Sequence, residues 1–369
     1  MRRHTGSLPA SGIASVVSTR WFYWLAGVGL SVGPVLIALA ITSALLMIMD
    51  VNPLEYYGYV VQKGLLTPSG LQATLTRMGP LLLIGASLIV AFRAGLWNLG
   101  GDGQFLLGAV IAAAVAAPLD HLGTPVWLTW CAALLAGALV GGIWAILPAM
   151  LKAWQHINEI ITTLMMSFIG ISLANILVKL VFTDPATTVP ETRTLPYAHR
   201  LPALFGTHVS SGLLIGLVAI IVVHVMMTRT ALGLRLRTVG ANPRAALHAG
   251  LPVGWLTIAV LALSASLAGL AGAVDVLGIE GNVRADWNPA YSLLVVPLVF
   301  LARFNGFGTV AFVFVFSVLS IGSESAARRM GIPNYFTLVT VAILLMVLGL
   351  TQMVEQRRRQ RTWPGTDQG

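Results

Sequence analysis

The sequence predicts an all-α polytopic membrane protein of about ten transmembrane helices, some short or broken, with both termini cytoplasmic. Three observations predict it. The chain of 369 residues is 57% hydrophobic and 9% charged, with a mean hydropathy of +0.84, whereas a soluble chain is roughly a quarter charged. Its apolar runs approach the roughly 20 residues needed to cross a hydrocarbon core. Its basic residues gather at the ends of those runs, where membrane proteins carry them. The net charge of +9 therefore reads as topology: membrane lipid is the expected partner and nucleic acid is not. Little sequence remains for a soluble domain. The single cysteine, Cys131, sits in an apolar run. No disulfide or cysteine-based metal site can form within the chain, and the thiol is expected to be a small buried hydrophobe.

The elements follow in order. Residues 1–20 form a cytoplasmic tail carrying Arg2, Arg3 and Arg20, residues 21–354 the transmembrane domain, and residues 355–369 a second cytoplasmic tail. The uncharged run from Trp21 to Met49 is too long for a signal-peptide core and is expected to stay as the first helix. Spans are predicted at 22–48, 78–92, 103–119, 125–150, 160–182, 211–227, 253–277, 290–302, 308–322 and 335–354. Three of these (78–92, 290–302 and 308–322) are short for a crossing, as are the tilted, half-length or broken helices that border central sites in transporters. With the N-terminus inside, fourteen of the 22 lysines and arginines fall on or near the inner side, the bias that sets orientation. Arg328 and Arg329 fit poorly, since strict alternation puts them outside.

Two loops stand out. Thr183–His208, on the outer side, contains Pro185, Pro190, Pro196 and Pro202 and is long enough for a cap or partner surface with little helix. Thr228–Pro252, on the inner side, holds Arg229, Arg235, Arg237 and Arg244 around a Gly-Ala-Asn-Pro turn. Pro243–Ala249 is predicted as a short amphipathic helix with proline at its first position.

The stretch from Phe92 to Gln104 sets Arg93, Asn98, Asp102, Gln104 and several glycines between apolar runs. Such residues at membrane depth are expensive unless they face protein or a water-filled cavity. Asn98, Asp102 and Gln104 are therefore candidates for the substrate pathway or its hinge; the plainer reading is that they cap helix ends. Pairing of Asp102 with Arg93 would need the glycine turn to fold back.

Three ordered motifs carry a family resemblance. Residues 95–104, Gly-Leu-Trp-Asn-Leu-Gly-Gly-Asp-Gly-Gln, resemble the Phe-Asn-Ile-Gly-x-Glu-Gly-Gln signature of ABC-importer permeases for simple sugars and nucleosides. Residues 150–166 resemble the family's Leu-Lys-Ala … His-Glu-Val-Ile … Thr-Ile-Met-Met stretch, and residues 234–250 its Leu-Arg-Ala-Val-Gly-x-Asn loop. The likeness covers roughly residues 75–350 and is nearest the guanosine/nucleoside branch. Asp102 stands where the family usually has glutamate, Asn158 where histidine is expected, and residues 286–305 are poorer in glycine than usual.

The resemblance implies a pore-forming permease subunit of the bacterial inner membrane, without catalytic activity. It would be one of two such subunits, in a homodimer or heterodimer. ABC ATPase subunits would bind the inner face and hydrolyse ATP, this chain binding no cofactor. A periplasmic or lipid-anchored binding protein would deliver nucleosides or simple sugars. Arg235, Arg237, Gly240, Asn242, Arg244, Ala245, Ala246 and Gly250 would form the ATPase-docking loop. Asp275, Glu280, Arg284 and Asp286, at the outer end of the seventh span, would meet the binding protein; the plainer reading is solvated headgroup-level charge.

Other residues carry structural expectations. Glu159, following His156 and Asn158, is expected to cap the fifth span. Lys179 is expected to snorkel and His224 to pack. Gly137, Gly141, Gly142, Gly269, Ala271 and Gly272 suit close helix packing. The chain has no Walker A motif and no Gly-Lys dipeptide, so it holds no P-loop of its own, and no metal-binding constellation is expected. The rival class is an ion-gradient-driven secondary transporter of small polar solutes. Such a protein needs paired carboxylates inside the membrane, while the acidic residues here lie nearly all at span ends.

Overall fold

The computed structural model describes residues 33–204 and 206–333, with scattered positions from 336 to 351. Both tails, the start of the span at 22–48 and much of the span at 335–354 lie outside the described residues. Residues 54–338 form one compact unit; residues 1–53 and 339–369 form another, of which the helix α1 (Gly33–Ile48) is described.

The helices of the larger unit are α2 (Pro53–Leu66), α3 (Pro68–Arg93), α4 (Gly101–His121), α5 (Val126–Trp144), α6 (Ile146–Gln155), α7 (Glu159–Ile176), α8 (Gly212–Arg229), α9 (Ala231–Ala241), α10 (Pro243–His248), α11 (Val253–Asp275), α12 (Tyr291–Leu301) and α13 (Gly306–Met330). Wider π turns extend α7 to Val181 and α11 to Glu280. Among the described residues seven helices are long and apolar enough to cross a membrane, or eight if α1 and α2 make one broken span.

Two spans predicted as short are full length. The segment at 78–92 is the second half of the 26-residue α3, and the segment at 308–322 lies inside the 25-residue α13. Their polar ends read as loop because lipid would reject them, yet the structure pairs these groups inside protein. Thr74 donates to the Gly64 carbonyl at 2.7 Å, and Arg77 donates to Glu324 at 3.2 Å. The segment at 290–302 is truly short: α12 spans 11 residues and is preceded by a non-helical stretch, 281–290. Helix α2 had no counterpart among the predicted spans.

Three helices form the centre. The apolar windows of α3, α4 and α11 are 78%, 72% and 61% buried, against 22–33% for those of α5–α6, α7 and α8. The latter turn leucine, isoleucine and phenylalanine outward, as lipid-facing helices do. Close approach among α4, α5 and α11 rests on absent side chains. A Cβ on Gly108 would meet the Gly269 backbone, one on Gly269 the Gly137 carbonyl, and one on Gly272 the Phe105 carbonyl. Backbones this near gain dispersion where lipid offers no hydrophobic drive. Cys131 departs from expectation: it is exposed on α5, because the glycine face of that helix takes the interior side.

At one end of the bundle, residues 190–195 lie along residues 281–285. Thr192 N–H donates to the Val283 carbonyl and Leu195 N–H to that of Gly281, each at 2.9 Å. Trp130 on α5 donates to the His199 carbonyl at 2.8 Å, and His199 contacts Asp120 on α4. The prolines limit helix in this cap to the single turn Tyr197–His199. Lys179 pairs with Asp286 at 2.9 Å, because the 281–290 stretch returns past the end of α7.

Candidate functional site

The signature stretch is a junction between helices. Helix α3 ends at Arg93, and Gly95 reverses the chain with φ +71°, a conformation that costs an L side chain about 1–2 kcal/mol. Residues 96–100 then run without helix to Gly101, where α4 begins. Asn98 and Gln104 form a reciprocal amide pair, with Asn98 Nδ2 donating to Gln104 Oε1 at 3.0 Å and Gln104 Nε2 donating to Asn98 Oδ1 at 3.1 Å. Asn98 also donates to Ser264 Oγ on α11 at 3.0 Å and accepts from Gly100 N–H at 3.1 Å. Leu99 N–H and Gly103 N–H donate to Thr163 and Ser167 on α7 at 3.1 and 3.0 Å.

Asp102 reaches across to α12, where its Oδ1 accepts the Ser292 N–H at 2.8 Å. A carboxylate there satisfies one of the free donors of the first helical turn and complements the dipole. Asn98 and Gln104 are 1% exposed and Asp102 7%. The two amides bond to each other and to α11, and one Asp102 oxygen bonds to α12, as burial demands. Arg93 does not pair with Asp102; its Nε donates to the Phe304 carbonyl at 3.0 Å. Phe92, Trp97, Phe300 and Phe304 close over the turn in edge and tilted contacts.

The Thr228–Pro252 loop is two helices, not one. Thr230 caps α9 by accepting from Gly233 N–H, and Asn242 caps α10 by accepting from Ala245 N–H at 3.0 Å. Pro243 takes the first helical position, and Gly250, at φ +77°, closes the last turn. Leu236, Val239 and Ala246 face inward, while Arg235, Arg237, Arg244, Leu232, Leu234 and Leu247 are exposed. Gly240 meets the signature turn: a Cβ on it would lie 2.6 Å from the Ala94 carbonyl carbon and 2.7 Å from Gly95 N.

The four charges grouped at the end of the seventh span separate. Arg284 and Asp286 are exposed and Glu280 is half-buried, but Asp275 is 0% exposed. The π turn carries α11 five residues beyond Asp275, so its carboxylate lies inside the bundle and is not a surface-docking group. Neither of its oxygens has a hydrogen-bond partner. Glu159 pairs with Lys152 at 2.7 Å, and the N-cap of α7 is Asn158, which accepts from Ile160 N–H at 2.9 Å. His224 packs as expected and accepts the Gly306 N–H that starts α13, at 3.2 Å. Arg77 and Glu324 were missed as site residues because the sequence reading left both outside helices; their opposite signs within otherwise uncharged stretches were the available signal.

Residues 70–348 match the family described as "Branched-chain amino acid transport system / permease component". The glucose ABC transporter permease protein of Haloferax volcanii is 30% identical over 91% of this chain and 90% of its own length. The guanosine ABC transporter permease protein of Bacillus subtilis is 28% identical over 74% and 79%. A nucleoside ABC transporter permease protein of Lactococcus lactis is 25% identical over 82% and 85%. With most of its length matched, including the signature junction and the α9–α10 pair, the chain belongs to this family and is a multi-pass plasma-membrane permease subunit of an ABC importer.

Proposed function

We propose that this permease carries nucleosides or simple sugars, delivered by an external binding protein, through a pore made with a second permease subunit of the same or a related kind. ATP is hydrolysed on separate ATPase subunits docked at α9–α10, on the cytoplasmic side with both chain termini. The cargo class rests on the relatives, whose names give glucose, guanosine and nucleosides.

The observation that carries the motor arrangement is the contact of Gly240 with Ala94 and Gly95. An exposed arginine–leucine surface on α9–α10 suits a protein partner, with charge steering association and the leucines supplying burial. A push on that surface is transmitted, backbone on backbone, to the turn that holds Asn98, Gln104 and Asp102. Through Asp102 it reaches the start of α12. In this reading the signature residues are a hinge bordering the pathway, since the Asn98 and Gln104 amides are bonded to each other and to Ser264, and one Asp102 oxygen to Ser292.

The test is uptake into vesicles holding the permease, its ATPase and the binding protein. Transport should require ATP and ATPase subunit and survive collapse of proton and sodium gradients. Uptake driven by an imposed ion gradient without ATPase overturns the reading.

A further inference from the structure

Asp275 is the acidic side chain with the fewest partners among the described residues. It is 0% exposed, and neither carboxylate oxygen has a hydrogen-bond partner. A buried carboxylate in this state is costly, and transporters keep such groups in the membrane for the pathway. Arg77 does not resolve it: the two interact electrostatically, but the Arg77 guanidinium is bonded to Glu324 at 3.2 Å. Among the described residues no group of three His, Cys, Asp or Glu side chains could hold a metal ion. What the carboxylate lacks is a pair of O–H or N–H donors.

Beside it stands an aromatic wall. Gly272, one turn before Asp275 on α11, lies against the Phe105 backbone, and Tyr291, the first residue of α12, interacts electrostatically with Asp275. The Phe105 ring is 5.5 Å from that of Tyr291 and 5.8 Å from that of Trp287. Trp287 is half-buried, with Asn288 exposed next to it. Trp287 belongs to the non-helical 281–290 stretch leading into the half-length α12. Irregular backbone at membrane depth is tolerated where it is enclosed in protein or lines a cavity, and broken helices of this kind border transport sites.

An acid wanting two donors, next to aromatic faces, matches a ring that carries adjacent hydroxyls. A carboxylate accepts two O–H groups at once, in short charge-assisted bonds, and aromatic side chains stack on sugar or base faces. We propose that Asp275 recognises the vicinal hydroxyls of the cargo, with Phe105, Trp287 and Tyr291 forming the surface on which its ring rests. This rests on the nucleoside or sugar reading above and assigns the recognising group. In the conformation described here Asp275 is closed off from solvent.

The test uses the complete transporter in vesicles, with guanosine against 2′,3′-dideoxyguanosine and glucose against 2-deoxyglucose. For the pair whose hydroxylated member is carried, loss of hydroxyl should raise KM in the wild type. In Asp275→Asn that penalty should fall by at least about tenfold, since a site built for hydroxyls rejects analogues lacking them. The binding protein is common to both, so its own selectivity cancels. An unchanged penalty in Asp275→Asn, or in Asp275→Ser where the asparagine chain does not accumulate, overturns the proposal and leaves the importer reading intact. ATP-dependent uptake of neither guanosine nor glucose overturns both. A measurement without variants reads the same point: the purified permease–ATPase complex should melt higher in millimolar guanosine than in millimolar dideoxyguanosine, and equal melting temperatures count against the site.

Discussion

Gly95 and Gly240 meet backbone to backbone, such that a Cβ on Gly95 would lie 2.8 Å from Gly240 Cα. The two residues are far apart in sequence, one in the signature turn and the other near the end of α9. Their contact is the physical link between the arginine-bearing helix pair and the buried junction.

Gly240→Val should therefore loosen that link more than it harms folding. Overpacking costs about 1–3 kcal/mol, to be absorbed by displacing α9. The expected result is uptake cut by more than about tenfold at unchanged membrane abundance, with ATP hydrolysis continuing. ATP consumed per solute carried is the quantity to measure; a normal ratio shows that the contact transmits nothing.

The Asn98–Gln104 amide pair makes a stability prediction. Replacing either residue by alanine leaves a buried amide without its partner, at about 1–3 kcal/mol. The double variant should be less destabilised than the sum of the singles. Thermal unfolding in detergent checks this, and KM for cargo should stay constant across the set if these amides form a hinge.

Asp102 separates charge from bonding. Asp102→Asn retains an acceptor for the Ser292 N–H and should transport near wild-type levels, while Asp102→Ala removes the α12 cap at about 0.5–2 kcal/mol. Uptake per chain should fall in the alanine variant, further still with Gln104→Ala added, at unaltered membrane abundance. Equal uptake by the wild type and the Asp102/Gln104 double-alanine chain defeats the hinge.

Charge reversal at Arg235, Arg237 and Arg244 should abolish ATPase co-purification. All three side chains are exposed, so the cost to folding stays within about 0.5 kcal/mol each. Retained co-purification places the motor elsewhere.

Arg77 and Glu324 join α3 to α13 at 3.2 Å, with side chains 20% and 42% exposed. Solvent screening limits the pair to about 1 kcal/mol or less. Arg77→Glu should nevertheless lower the melting temperature, because it sets two acids against each other near the buried Asp275. Adding Glu324→Arg should restore part of the loss; no recovery in the exchanged pair shows that α3 and α13 are held by packing alone.

Much of the junction was legible in the sequence because charged and amide groups between apolar runs must be enclosed. Their partners were not, since Ser264, Ser292, Thr163 and Ser167 are remote in sequence and unremarkable in composition. Lys179 and Glu159 show the same limit: each has a local role by default, and each is claimed by an ion pair formed when a neighbouring segment returns. Helices α3 and α13 were under-read because hydropathy treats every polar residue as facing lipid, whereas Thr74 and Arg77 face protein.

By itself, the sequence determined that the chain lives in lipid, that it is helical, and that its glycines permit close helix contact, since transfer energies and backbone sterics act locally. Tertiary structure alone decided that Asp275 lies inside the bundle, that Cys131 faces outward, and that α9 touches the signature turn. Those outcomes depend on which helix faces meet, and that is set by packing complementarity between distant segments.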